Sequence, residues 1–209
     1  MTNSRIAIIY YSATGNVHHL AVAFAQGAAD AGAEVRLRRV AELAPDSAID
    51  SNPQWRAHLS STTDIELATH DDLRWANGYA FGTPTRFGNV CAQLRQFLDT
   101  TSELWEAEKL ANKPATGFVS SDSPHGGQES TLLSLYHTFH HWGSIILPAG
   151  YLNYETSITA GGNPYGVGLV GERAEDEHYR KAVLEAARYH GRRLAGAAAA
   201  TAPLRTNEP

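Results

Sequence analysis

The alternation of short apolar runs with longer amphipathic segments constrains this chain more than any other feature of its sequence. Five runs rich in β-branched and aromatic residues alternate with segments of helical periodicity. Such alternation predicts an α/β fold with a parallel, doubly wound sheet, because right-handed crossovers place helices on both of its faces. We predict strands at residues 6–11, 34–40, 79–81, 115–120 and 144–147, and helices at 17–31, 90–98, 129–142 and 175–200.

Two stretches lack this periodicity. Residues 41–70 contain two prolines and many polar residues, and residues 148–171 are rich in glycine. We expect both to be irregular. Loops of this length inside a compact domain are usually functional or mobile.

Length and composition favour a single ordinary globular domain. We expect it to span residues 1–200 of the 209, with a disordered tail at 201–209. With 43% hydrophobic and 19% charged residues, the chain lacks the signature of disorder.

Charge and cysteine content limit the partners and the compartment. A net charge of -5 predicts no general affinity for nucleic acid or anionic membrane, and the one basic cluster, Arg36, Arg38 and Arg39, is interpreted as a solvated strand edge. The single cysteine, Cys91, cannot form an internal disulfide. No secretory signal and no run of about 20 apolar residues is present, so we predict a cytoplasmic protein without membrane insertion.

The loop after the first strand has the character of an anion site. Residues 12–16 read Ser-Ala-Thr-Gly-Asn and lead directly into the first helix, whose N-terminal amides and dipole favour a phosphate. The loop has no Lys or Arg, so neutral donors would hold the anion. A Walker A loop and a Gly-x-Gly-x-x-Gly site are both absent. The alternative is a simple capped helix start.

The loop after the third strand can lie along a flat heterocycle. It reads Gly82-Thr-Pro-Thr-Arg-Phe-Gly-Asn89, in which the glycines permit close backbone approach and Pro84 stiffens the turn. The alternative is a rigid turn with a buried Phe87.

Several motifs together resemble one known family. The motifs are Tyr10-Tyr-Ser12, the 82–89 loop, Phe97-Leu-Asp99 followed by Leu104-Trp105, His125-Gly-Gly-Gln-Glu129, His141 and Gly161-Gly-Asn-Pro-Tyr-Gly166. In order and spacing they resemble the WrbA family of flavodoxin-like NAD(P)H:quinone oxidoreductases, called type IV, over nearly the whole chain. The resemblance implies a flavodoxin-like five-stranded sheet of order 2-1-3-4-5. It also implies non-covalent FMN, NADH or NADPH as co-substrate, two-electron ping-pong reduction of quinones, and a homotetramer.

The resemblance also implies roles for particular residues. The phosphate would bind to Ser12, Ala13, Thr14, Gly15, Asn16 and Val17. The isoalloxazine would be bordered by Thr85, Arg86 and Phe87, and the same loop would also bind the cofactor through Pro84, Gly88 and Asn89. Its far edge and the ribityl chain would contact Ser121, Asp122, Ser123, Pro124, His125 and Gly126. His141, from the same or a neighbouring subunit, would complete the pocket, and Trp105 would form the substrate wall with Thr14 and Phe87.

Other functions are less compatible with the sequence. His137 and His141 stand four apart on a predicted helix, but no third ligand is evident and we predict no metal site. A flavodoxin-type electron carrier, or an interaction protein that keeps the fold, is the main alternative to an enzyme.

Overall fold

A parallel sheet of order β2-β1-β3-β5-β6 forms the centre of the molecule, with two further strands attached to it. The computed structural model describes residues 4–205. The strands are β1 (Arg5–Tyr10), β2 (Glu34–Arg39), β3 (Gly78–Arg86), β4 (Asn89–Val90), β5 (Pro114–Ser121), β6 (Ile145–Ile146) and β7 (Val167–Val170). The helices are α1 (Asn16–Asp30), α2 (Asp46–Asp50), α3 (Pro53–Ser61), α4 (His70–Trp75), α5 (Ala92–Asp99), α6 (Ser102–Glu106), α7 (Gln128–His141), α8 (Tyr154–Thr159) and α9 (Glu177–Ala200).

The two faces of the sheet carry two separate hydrophobic cores. In β1, Ile6 and Ile8 face the core under α1 and α9, whereas Ala7 and Ile9 face the core under α5 and α7. All four side chains are fully buried, as expected for a central parallel strand with helices on both sides. The flavodoxin-like doubly wound fold is therefore confirmed.

The predicted count of five strands is wrong at one edge of the sheet. Both β6 and β7 pair with β5, β6 along its first half and β7 along its second. The predicted strand at 144–147 contributes only two residues before the chain leaves the sheet at Leu147, and the return at Val167 completes the fifth strand position. The strand order at the centre is as predicted, and β4 adds a short antiparallel hairpin to β3.

The two stretches expected to be irregular contain regular structure. Residues 41–70 form α2 and α3, and 148–171 contain α8 and β7. These elements are too short for a hydrophobic period to develop. Capping stabilises α3, since the Asn52 side chain accepts from the amides of Gln54 and Trp55 and Pro53 stands at its start.

The basic cluster on β2 is paired rather than simply solvated. Arg36 and Arg38 both contact Asp72 Oδ1, at 3.2 and 3.1 Å, and Asp72 is 2% exposed. Arg39 Nε donates to the carbonyl of Ile65 at 3.0 Å. The interpretation as a solvated edge is wrong because α4 packs its carboxylate against this strand.

The end of the chain is described as far as residue 205. Of the expected tail at 201–209, Ala202–Arg205 form a turn of 3-10 helix, and 206–209 lie outside the described residues. Within the described range, no helix combines the length and the apolar character that crossing a membrane requires.

Candidate active site

The carboxyl ends of β1, β3 and β5 surround one cavity of about 410 Å³. Parallel strands bring their carboxyl ends to one edge of the sheet, and ligands bind in the crevice there. Most of the predicted phosphate and ring residues meet in this cavity. Its lining consists of Ser12, Ala13, Thr14, Asn16, Val17, Asn52, Trp55, Pro84, Thr85, Arg86, Ser120, Ser121, Asp122, Ser123 and Gly126.

The loop between β1 and α1 presents free amides to the cavity. Gly15 has a φ of 104°, a conformation that favours glycine, and its N–H donates to Ser12 Oγ at 3.0 Å. Within residues 4–205, the amides of Ala13, Thr14 and Asn16 donate to no protein acceptor. With the positive end of α1 behind them, these groups form an anion site.

The β3–β4 hairpin forms a second wall. Its turn has positive φ at Phe87 (52°) and Gly88 (76°), the pattern of a two-residue type I′ turn. Thr85 Oγ1 fixes the hairpin by accepting from the amide of Gly88 at 3.2 Å and by a 2.8 Å hydrogen bond with Thr131 Oγ1 on α7. This places Pro84, Thr85 and Arg86 along the cavity.

Phe87 lies at the tip of this turn. Its ring is fully exposed, so the alternative of a buried Phe87 is wrong. The ring does not line the cavity within the single chain.

The loop after β5 closes the far side. Ser121 Oγ donates to the carbonyl of Ser123 at 2.7 Å and accepts from Gln128 Nε2 at 2.8 Å. A Cβ on Gly126 would lie 2.6 Å from Ser121 Cβ, so only glycine permits this close packing. Pro124 and His125 are exposed and do not line the cavity.

Asn52 and Trp55 form a further wall of the cavity, which no sequence pattern predicted. Both belong to the stretch expected to be irregular. Its unusual length was the available signal, since long loops in compact domains are often functional. Ser120, the penultimate residue of β5, is a third lining residue that was not assigned.

Two ionisable groups beside the phosphate loop, His58 and Glu42, have pKa values that their surroundings lower. Burial, followed by the neighbouring imidazoles of His18 and His19, lowers the pKa of His58 to about 4. Glu42 is partly buried, which opposes ionisation, but hydrogen bonds from Ala44, Tyr11, Gln93 and Trp55 leave its pKa below the usual value. Accordingly, His58 adds no positive charge to the anion site at neutral pH.

Trp105 and His141 lie away from this cavity within one chain. Trp105 Nε1 donates to the carbonyl of His141 at 2.8 Å, so the two residues are neighbours. The 14-residue helix α7 begins at Gln128, next to the loop after β5 that lines the cavity, and ends at His141. His141 therefore lies about 20 Å along the helix axis from that loop. The single chain therefore does not bring them into the pocket.

Three more of the predicted residues support the loops and do not contact the cavity. Gly15, Gly88 and Asn89 shape the two loops without lining the cavity. Among residues 4–205, no cluster of three or more His, Cys, Asp or Glu side chains has the arrangement to hold a metal ion.

The fold and the cavity together define a class. The chain is a flavodoxin-like α/β protein, with a neutral anion site at one end of a cavity and backbone walls suited to a flat ligand at the other. The structure overlaps a WrbA-like flavodoxin from Agrobacterium tumefaciens with a TM-score of 0.65 at 24% identity, covering 95% of this chain and 99% of that one.

Sequence comparisons identify the family. Residues 4–158 match the family model described as NADPH-dependent FMN reductase. A Geobacter sulfurreducens protein named NAD(P)H dehydrogenase (quinone) is 43% identical over an alignment 210 positions long, which covers 93% of this chain and 97% of that protein. A Deinococcus radiodurans protein of the same name is 43% identical over 165 residues, or 79% and 82% of the two chains. The chain belongs to the NADPH-dependent FMN reductase family, and the WrbA-like resemblance is confirmed.

Proposed function

We propose that this protein is an FMN-dependent NAD(P)H:quinone oxidoreductase that reduces quinones by two electrons. The observation that carries the proposal is the meeting of three strand-end loops around one cavity, with a neutral anion site at one end. Relatives at 38–43% identity over most of their length carry the name NAD(P)H dehydrogenase (quinone).

The residues present fit FMN. Free amides and the hydroxyls of Ser12 and Thr14 match a terminal phosphate, and the cavity volume falls in the usual range for small-molecule sites. When bound, FMN supplies the hydride and electron chemistry, while the protein supplies binding, orientation and electrostatics. Pro84 and Thr85 give the ring a rigid edge, and Arg86 brings a positive charge to that wall, where it would stabilise negative charge.

One cavity implies that the two substrates take turns. NAD(P)H and quinone are both flat, and a single open side accepts one at a time, which gives ping-pong kinetics. Initial rates at several quinone concentrations should therefore produce parallel double-reciprocal lines. Intersecting lines would show that both substrates bind together, and would contradict this mechanism.

The test of the function is an assay with purified protein, added FMN, NADH or NADPH, and benzoquinone. We expect rapid NAD(P)H oxidation that depends on both FMN and the quinone. FMN binding without NAD(P)H oxidation would indicate an electron carrier instead, and absence of FMN binding would contradict the proposal entirely.

We further propose that the protein is a cytoplasmic homotetramer of single-domain subunits. Large apolar side chains are exposed on the segment between β6 and β7, including Tyr151 (52%), Tyr154 (66%) and Ile158 (47%), and such clusters favour a protein interface. In a tetramer, Trp105 and His141 of one subunit would reach the cavity of another. Phe87, exposed at the hairpin tip, would be covered in the same way.

A further inference from the structure

Trp55 contributes an aromatic side chain to the wall of the cavity. Of the cavity-lining residues, all from the part of the chain that the structure describes, it is the one with an aromatic side chain. It comes from α3, an element outside the three strand-end loops. Tryptophan offers a large, rigid, flat contact surface.

A single carboxylate fixes the indole. Trp55 Nε1 donates to Glu42 Oε2 at 2.9 Å, and the same oxygen accepts from the Tyr11 hydroxyl at 2.7 Å. Glu42 Oε1 accepts from Gln93 Nε2 at 2.8 Å and from the two backbone amides that follow Glu42, each at 2.9 Å. Glu42 thus accepts from five donors, and three of them, from Trp55, Tyr11 and Gln93, join α3 to the end of β1 and to α5.

The helix that carries Trp55 is anchored as well. Arg56 binds Asp46 and Asp50, each at 2.6 Å, which ties α3 to α2. The Asn52 side chain caps the helix by accepting from the amides of Gln54 and Trp55, at 3.0 and 3.4 Å. A wall held in place before binding loses less conformational entropy when the ligand arrives.

We propose that Trp55 is an aromatic platform for the flat ring of the ligand bound in this cavity, and that Glu42 is a positioning residue that acts through Trp55. The proposal rests on the proposed function for the identity of the ligands. The ring that contacts Trp55 is either the isoalloxazine of the cofactor or the ring of the nicotinamide or quinone substrate. The chemistry of contact is the same, and the experiment separates the two sources.

The first experiment measures dissociation constants for Trp55→Ala and Trp55→Phe. FMN and riboflavin are titrated into apoprotein, and NAD+ and benzoquinone into FMN-loaded protein. Contact with the cofactor ring predicts that Trp55→Ala weakens FMN and riboflavin by the same factor, about tenfold, whereas Trp55→Phe has a small effect. Contact with the substrate ring predicts weakened NAD+ and benzoquinone with unchanged flavin affinity.

The second experiment tests the role of Glu42 with a double-mutant cycle. Glu42→Ala should weaken the same ligand as Trp55→Ala, and the double variant should be no weaker than Trp55→Ala alone, because Glu42 reaches the ligand through the indole. Glu42→Gln keeps an oxygen that can accept from Trp55 Nε1 and should recover most of the affinity. The matched control is Trp75→Phe, since Trp75 packs against Arg36, 4.2 Å from its guanidinium carbon, and does not line the cavity.

The outcomes are decisive. Unchanged affinity of Trp55→Ala for all four ligands would overturn the platform, and additive losses in the cycle would overturn the role given to Glu42. Neither readout requires turnover. A protein that binds flavin without oxidising NAD(P)H would contradict the proposed function. The flavin titration would still test the role of Trp55 in that case.

Discussion

Ser12 accepts a hydrogen bond from Gly15 N–H within its own loop, and this leaves its hydroxyl proton free to point to the cavity. We predict that Ser12→Ala weakens FMN binding by at least tenfold, because a hydrogen bond to a charged group contributes about 1.5–3 kcal/mol. Riboflavin lacks the phosphate and should bind almost unchanged. Titration of apoprotein with both flavins checks this, and an equal loss for the two would place the phosphate elsewhere.

His190 gives the fold a sensitivity to acid. Complete burial, followed by the neighbouring Arg193 guanidinium, lowers the pKa of His190 to about 3 from an ordinary value of 6.5. Between those values the unfolded chain binds a proton that the folded chain does not. The stability supplied by the neutral imidazole is therefore fully present above pH 6.5 and is lost as the pH falls.

We predict that this residue contributes a slope of about 1.4 kcal/mol per pH unit between the two pKa values, most clearly from pH 4 to pH 6. Urea unfolding of His190→Gln between pH 4 and pH 7 should show a shallower pH dependence than the wild type. Leu133→Gln, at an exposed and non-ionisable position on α7, is the control and should keep the wild-type slope. Identical slopes for all three proteins would contradict this account of His190.

At the scale of elements, α1 and α9 cross with their backbones in direct contact. A Cβ on Gly27 would lie 1.9 Å from the carbonyl oxygen of Arg188, and one on Gly191 would lie 2.2 Å from that of Phe24. The two glycines therefore set the distance between α1 and α9, which together cover the core on one face of β1.

We predict that Gly27→Ala destabilises the fold by about 1–3 kcal/mol, because the added methyl forces the helices apart. Gly196 lies in the same helix α9 with nothing near its Cβ position, so Gly196→Ala should stabilise by up to about 1 kcal/mol through helix propensity. Chemical denaturation of both variants measures the difference. A neutral Gly27→Ala would mean that the helices do not pack this closely.

The sequence predicted the elements that have strong periodicity or specific motifs. The core strand β1 and the loop at 12–16 were predictable because the apolar run and the neutral donors are local signals. The paired β6 and β7 were not, because the connection between them separates two short segments that meet only on the edge of β5. The Trp55 wall depends on a contact with Glu42, 13 positions away, and no local pattern encodes it.

At the scale of the whole molecule, the segment between β6 and β7 is the principal candidate for assembly. We predict that the wild type sediments as a tetramer and that Tyr154→Asp dissociates it, because a charge in an apolar interface is costly to desolvate. Val22→Asp, at an exposed position on α1, serves as the control and should remain tetrameric. A wild-type monomer with full activity would refute both the tetramer and the contribution of Trp105 from a neighbouring subunit.

In the proposed function, one cavity holds FMN and passes two electrons from NAD(P)H to a quinone. Its most direct test is an anaerobic titration of the FMN-loaded protein. We predict that one equivalent of NADH or NADPH removes the visible absorbance of the flavin and that one equivalent of benzoquinone then restores it. Flavin that NAD(P)H does not reduce, or reduced flavin that benzoquinone leaves unchanged, would contradict the account.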